Sequence, residues 1–285
     1  MSGYVELHGR GMHSGAPTSV RFEARPGPLL FRLGPDQASI EELEVVRADQ
    51  GVCLKARHGS HEVDVCEHLL AALAGLGVRS GLLVSLPGPE VPLLDGCAHE
   101  LARALSLLAP RRDPPPLVVA QRAEIVHGSS RYRFEPAAGA RLEVEVEFPG
   151  DPATMRAEHS VEDVGHFVST IARARTFGFE SDAERLRARG RARHVDPAAV
   201  VVLDAQGRAL APSAPLADGE LAHHKLLDLM GDLYLYGGPP LGCVWARRPG
   251  HEATHRVTRK ALDQGVLVRA QAGPAHSRAG AANYK

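Results

Sequence analysis

Pro110-Arg111-Arg112-Asp113-Pro114-Pro115-Pro116 interrupts the chain near its middle. Proline fixes φ and carries no backbone donor, so this stretch excludes both a helix interior and a central strand and marks a linker. The two flanks read alike. Upstream, residues 3–35 alternate polar and apolar side chains around glycines as a pair of strands, and strands follow at 40–46 and 52–56. A helix is expected over 66–76, beginning after Asp64 and stopping at Gly75 and Gly77; a strand at 82–88 and a helix at 97–108 complete this half. Downstream, strands at 117–126, 131–135 and 141–148 precede helices at 161–174 and 181–189, the latter opened by a Ser181/Glu184 capping box and closed by Gly190. A buried strand at 200–203, a long helix at 219–236, a strand at 241–246 and a helix at 251–262 follow, with a flexible Gly/Ala/Ser tail at 272–285. Strands and helices in blocks predict an α+β fold of two layers, not a doubly wound parallel sheet. The expected domains are 1–109 and 117–271.

The 285 residues, 44% hydrophobic and 24% charged, suffice to fold without a disulfide or metal, so any metal must be explained by chemistry. Lys and Arg number 33 against 34 Asp and Glu, a net charge of -1 that lacks the basic excess a nucleic-acid binder needs. Cys53, Cys66, Cys97 and Cys243 form no C-x-x-C pair and read as reduced thiols of a cytosolic protein. The start MSGYVELHGR has no secretory pattern, and no apolar run approaches the length of a membrane span.

The most informative helix is LAHHKLLDLMGDLYLY, residues 221–236, where His224, Asp228 and Asp232 at i, i+4 and i+8 form one polar stripe among leucines. A buried stripe of imidazole and carboxylates needs a partner, and a divalent metal supplies one; a salt-bridged polar face is the alternative. Lys225 is one of four lysines against 29 arginines, a compact cation suited to a phosphate oxygen or simply a surface lysine. Glu67-His68 opens the helix of the first half. There Asp64 and Glu67 fit a capping box and His68 a core histidine, or His68 is a ligand with Glu67 as its neighbouring base. His251-Glu252-Ala253-Thr254-His255 is a literal H-E-x-x-H, but Arg247, Arg248, Arg256, Arg259 and Lys260 flank it, unlike the uncharged setting of a zinc protease helix. Thr176, between Arg175 and Phe177 at a helix junction, either donates into a pocket or makes an ST turn.

Together GRGMHSG at 9–15, EHLLAALAGLG at 67–77, VPLLDG at 91–96, IARARTFGF at 171–179, HKLLDLMGDLYL at 224–235 and Gly250-His251 resemble, in order, the signatures of the UDP-3-O-acyl-N-acetylglucosamine deacetylases of lipid A synthesis. The resemblance implies two domains, each a β-sheet layer packed on a helix pair, with the active site between them. It implies Zn2+ held by His68, His224 and Asp228, Glu67 as general base, Thr176 as oxyanion donor, and His251, oriented by Asp232, as the group that protonates the departing amine. Lys225 would meet the nucleotide diphosphate, Phe177 and Phe179 would wall the sugar pocket, and His255 would be a bystander. His13 and Asp95 match family positions with no role assigned. The implied partner is a small UDP-linked acylated glucosamine, handled by a cytoplasmic monomer that can visit the membrane surface without spanning it. Two stretches depart from the family pattern. His194-Val195-Asp196-Pro197-Ala198-Ala199 replaces a Gly-Gly-Ser and Asn-Ala sequence in the insert that lines the acyl passage, and Phe148-Pro149-Gly150-Asp151-Pro152 lacks Phe-x-His-Pro. A divergent, non-catalytic nucleotide-sugar-binding paralogue and an H-E-x-x-H protease are the competing expectations.

Overall fold

The computed structural model describes residues 3–147, 154–188, 190–192, 195, 198–213 and 215–270. In the first half, strands Tyr4–Arg10 (β1), Pro17–Pro28 (β2), Leu30–Leu33 (β3), Asp36–Ser39 (β4), Leu43–Arg47 (β5) and Cys53–Ala56 (β6) lead to helix Glu67–Gly75 (α1), strand Ser80–Leu86 (β7) and helix His99–Ser106 (α2). In the second, strands Leu117–Val119 (β8), Ala123–His127 (β9), Ser130–Glu135 (β10), Ala140–Val146 (β11) and Met155–Ser160 (β12) precede helix Val164–Ser169 (α3), strand Thr176–Phe179 (β13), helix Glu180–Ala188 (α4) and strand Val200–Leu203 (β14). Helix Glu220–Tyr234 (α5), strand Gly242–Arg247 (β15), helix His251–Asp263 (α6) and strand Leu267–Arg269 (β16) complete it.

Each half builds a five-stranded sheet of one topology, β1-β2-β7-β3-β4 and β9-β10-β15-β11-β12. In both, the late strand enters between the second and third, parallel to the third and antiparallel to the second. That late strand lies between two helices, α1 and α2 or α5 and α6, so the α+β layering holds in each half. Strict alternation along β10 sends Tyr132 and Phe134 inward and the arginines outward. α1 and α5 pack on one another between the sheets, and one cluster of buried apolar residues runs through both halves. All nine residues of α1 are buried, because it meets other elements on every side. Both central helices stop the same way. Gly77 and Gly237 take left-handed φ of 68° and 95°, and the next residue's amide reaches back to Leu73 or Leu233, the Schellman closure that a side-chain-free residue permits.

The structure corrects several expectations. The helix expected at 161–174 is broken into α3 and a 3-10 turn at Ile171–Arg173, with the Asp163 side chain accepting from the His166 amide at its start. The strand expected at 117–126 splits, since β8 leaves the main sheet to pair with β16. β12 and β4, at the sheet edges, carry too little apolar alternation to be read from the sequence. α4 begins at Glu180, so Ser181 lies inside its first turn and is not the cap. The Asp64/Glu67 box does not form: Asp64 pairs with Arg47, and Cys66 caps α1 without a side-chain bond. The tail at 272–285, residues 148–152, and His194, Asp196 and Pro197 of the insert lie outside the described residues. No described helix is long and apolar enough to cross a membrane.

Candidate active site

The site forms where α1 crosses α5. A Cβ on Gly231 would stand 2.1 Å from the Glu67 carbonyl oxygen, so glycine is what lets the two backbones approach this closely. The crossing brings the first turn of α1 against the polar stripe of α5. His68 Nε2 lies 3.6 Å from Asp228 Oδ1, and His224 Nε2 lies 3.6 Å from Asp228 Oδ2. The two imidazoles meet edge to face with centroids 5.2 Å apart. One ligand atom from each of the three residues falls within 4.8 Å of the others, and all three residues are buried. No other such metal-ligating group occurs among the described residues.

The donor set fits a divalent metal. His224 Nδ1 is 3.2 Å from the Ala174 carbonyl, which accepts its proton and leaves the Nε2 lone pair facing the triad. Burial pushes the His224 imidazole down to about 3, so it is neutral, as a ligand must be. At 3.6 Å the nitrogens and the carboxylate make no hydrogen bonds to one another, and the gap suits a cation at ordinary coordination distances of about 2 Å. Burial opposes the charge on Asp228, but the groups around it, Lys225 and His251 among them, hold the carboxylate well below its usual range. The Lys225 ammonium is 2.9 Å from Asp228 Oδ2 and 5.2 Å from the Phe177 ring centroid.

Glu67 is buried, and one of its oxygens accepts from the Val52 amide at 2.8 Å. Gly51, at φ 101°, lets that loop close over the carboxylate; a Cβ there would stand 3.0 Å from Glu67 Oε1. His251 Nδ1 sits 3.0 Å from both oxygens of Asp232, and its Nε2 is 3.9 Å from Asp228 Oδ2. Burial works against charge on this ring, yet Asp232 and Asp228 outweigh it and push it up to about 10, making it an imidazolium at neutral pH. Thr176 lies at the start of β13, not in a helix junction, and its hydroxyl and amide both donate to the Gly96 carbonyl, at 2.7 and 2.8 Å.

These groups share a cleft of about 650 Å³, lined by Glu67, His68, Thr176, Phe177, Phe179, His224, Lys225, Asp228 and His251. Every expected site residue lines it except Asp232, which lies beneath His251. His13 also lines the cleft and is buried, with Nε2 3.2 Å from the Gln50 carbonyl. Asp95 sits apart, its carboxylate accepting from the Cys97 amide just before α2 and from the Glu100 amide in its first turn, so it braces the start of that helix. Sequence reading missed the Arg175–Glu220 pair, joined at 2.7 Å with Glu220 buried, which anchors the start of α5 to the segment carrying Thr176. It also missed Arg185 and Leu186 of α4 in the cleft wall and Arg191, whose guanidinium donates at 3.2 Å to the side chain of Gln50, itself a lining residue. The arginine-rich string from 185 to 193 was the signal available for these. The H-E-x-x-H reading fails. His251 and His255 flank Asp232 and join no metal-ligating group, while the Glu252 side chain is 61% exposed and faces Arg256.

Residues 1–263 match the family described as UDP-3-O-acyl N-acetylglycosamine deacetylase. The UDP-3-O-acyl-N-acetylglucosamine deacetylase of Myxococcus xanthus (strain DK1622) is 32% identical over 271 residues, covering 92% of this chain and 85% of that protein. The enzyme of the same name from Anaeromyxobacter sp. (strain Fw109-5) is 32% identical over 264 residues, covering 90% and 86%, and that of Shewanella baltica (strain OS155 / ATCC BAA-1091) 31% over 270 residues, covering 91% and 88%. A match that runs through both sheets and both central helices leaves one conclusion: the chain belongs to the UDP-3-O-acyl N-acetylglycosamine deacetylase family.

Proposed function

We propose that His68, His224 and Asp228 hold a zinc ion and that Glu67, His251 and Asp232 carry out, around it, the reaction of the family, deacetylation of UDP-3-O-acyl-N-acetylglucosamine in lipid A biosynthesis. The observation that carries this reading is the convergence of two imidazoles and a carboxylate, from helices of opposite halves, beside a second carboxylate and a charged imidazole in one cleft. Zinc in such a site supplies Lewis acidity that acidifies water and polarises a carbonyl. Glu67, adjacent in sequence to a ligand and oriented by the Val52 amide, takes the proton from the attacking water. The C–N bond of the acetamide breaks, acetate leaves, and the nitrogen takes its proton from His251, whose imidazolium form Asp232 sustains. Thr176 joins in stabilising the oxyanion once its hydroxyl turns from the Gly96 carbonyl toward the cleft. Lys225, whose ammonium now pairs with Asp228, would turn to the substrate diphosphate if that carboxylate were engaged by zinc, while Phe177 and Phe179 wall the sugar.

In this reading the enzyme works in the cytoplasm as a monomer that visits the membrane surface to meet its lipid-like substrate. The domains of this reading are 1–109 and 117–271. Zinc-loaded protein is expected to release one acetate per UDP-3-O-(3-hydroxyacyl)-N-acetylglucosamine consumed, and Glu67→Ala to bind zinc while losing turnover. No acetate release from wild type, with Glu67→Ala indistinguishable from it, would end this reading.

A further inference from the structure

The second histidine of His251-Glu252-Ala253-Thr254-His255 has no part in the chemistry above, yet it is 3% exposed and lies one helical turn from His251, on the same side of α6. The two rings straddle Asp232 of α5. His251 Nδ1 is 3.0 Å from both carboxylate oxygens, and His255 Nε2 is 3.5 Å from Oδ1. On its far side, His255 Nδ1 is 3.0 Å from the Tyr236 hydroxyl, just beyond the end of α5. His255 Nε2 is buried and forms no short hydrogen bond within the described residues; its contact with Asp232 Oδ1, at 3.5 Å, is a long electrostatic one. A carboxylate can only accept, so the charge of Asp232 favours a hydrogen on the nitrogen that faces it. With that hydrogen in place the neutral ring that burial favours leaves Nδ1 bare, an acceptor for the Tyr236 hydroxyl 3.0 Å away.

We infer that His255 and Tyr236 are positioning residues: Tyr236 fixes the Nε2-H tautomer of His255, and that N–H holds the Asp232 carboxylate square to His251. The inference rests on the proposed role of His251. Without His255, Asp232 keeps its bond to His251 but loses the restraint on its other side. Substrate affinity and metal content then stay as they are, while the proton-delivery step slows.

The test uses the full-length, zinc-loaded protein with UDP-3-O-(3-hydroxyacyl)-N-acetylglucosamine. His255→Leu is expected to lower kcat about tenfold with KM and zinc stoichiometry within twofold of wild type, and His255→Gln, which restores an N–H donor, to recover to within about threefold. Nitrogen-15 NMR should report an Nε2-protonated His255 in wild type and a mixture of tautomers in Tyr236→Phe, whose kcat falls a few-fold. His251→Ala separates the two readings. If it keeps full turnover, the role of His251 fails and this inference with it. If it is inactive while His255→Leu stays within twofold of wild type in kcat, the positioning role alone is overturned. An Nδ1-protonated wild-type ring, or a rise in KM or loss of zinc matching the fall in kcat, overturns it as well, and the NMR measurement decides even if His255→Leu does not fold.

Discussion

α1 and α5 occupy equivalent places in two sheets of identical strand order and end in the same glycine closure, yet they carry different loads. α1 contributes only its first turn, Glu67 and His68, and is apolar from Leu69 to its end. α5 carries a stripe along its length, from His224 through Asp228 to Asp232. The difference follows from where each helix meets polar partners. α1 touches the cleft at its N-terminus alone, where the first-turn amides also favour an acidic residue such as Glu67. α5 runs under the cleft and on beneath α6, so polar side chains on one face find partners at successive turns: His68, Lys225, then His251 and His255. Repetition of a fold thus fixed the scaffold, and packing of one half on the other decided which helix could hold buried polar groups.

This division of labour is broken most severely at the chemistry. Glu67→Ala on α1 should retain metal, by elemental analysis, and lose about 10²- to 10⁴-fold in kcat, the range of a lost general base. His224→Ala on α5 should lose both metal and turnover. Equal metal loss in the two variants would make the helices interchangeable in role and contradict the comparison.

Their crossing is the next target. Gly231→Ala drives a methyl group into the Glu67 carbonyl, a backbone atom that cannot move aside alone, and should destabilise the protein by about 3 kcal/mol while lowering metal affinity. Thermal melts and metal titration check both; an unchanged melting temperature would mean that the helices do not need this close approach.

The start of α5 offers a smaller effect with a pH signature. Burial raises the Glu220 carboxyl, but its bonds to Arg175 and to the Ala217 amide more than offset this and leave it below its ordinary value of 4.5. A depressed carboxyl stabilises the fold fully above its unfolded value and loses that contribution as pH falls through the folded one. Glu220→Gln should therefore cost about 2–3 kcal/mol at pH 7 and flatten the loss of stability below pH 5, as read by denaturant melts across pH. An unchanged acid slope would show that the pair does not anchor α5.

The smallest effect belongs to the first half. Asp95→Ala removes the carboxylate that accepts two amides at the head of α2 and should cost about 1 kcal/mol, with kcat within a factor of two of wild type. A larger loss of kcat than of stability would give Asp95 a part in catalysis.

Much of the site could be read from residue types and spacing. The stripe on α5 follows from the helical period, and the ligand set given by the resemblance, His68, His224 and Asp228, is the one group of this kind the structure brings together among the described residues. The α+β layering was legible for the same local reason, since hydrophobic period acts within a few residues. Reading failed where a distant partner overrode a local pattern. Glu67 resembled a capping residue because nothing in sequence announced the Val52 amide, and Asp64 went to Arg47. Thr176 resembled a helix-junction turn because its pairing with Val200 is non-local.

What the chain alone determined was the inventory along each element: which residues lie on one face of α5, that two histidines share one side of α6, and that the first turn of α1 pairs an acid with an imidazole. Only the tertiary structure decided which of these meet, because helical periodicity fixes angles about an axis and says nothing of how two axes cross. That crossing depends on a glycine permitting close contact, and it turned His251 and His255 from a nominal zinc motif into two partners of one carboxylate.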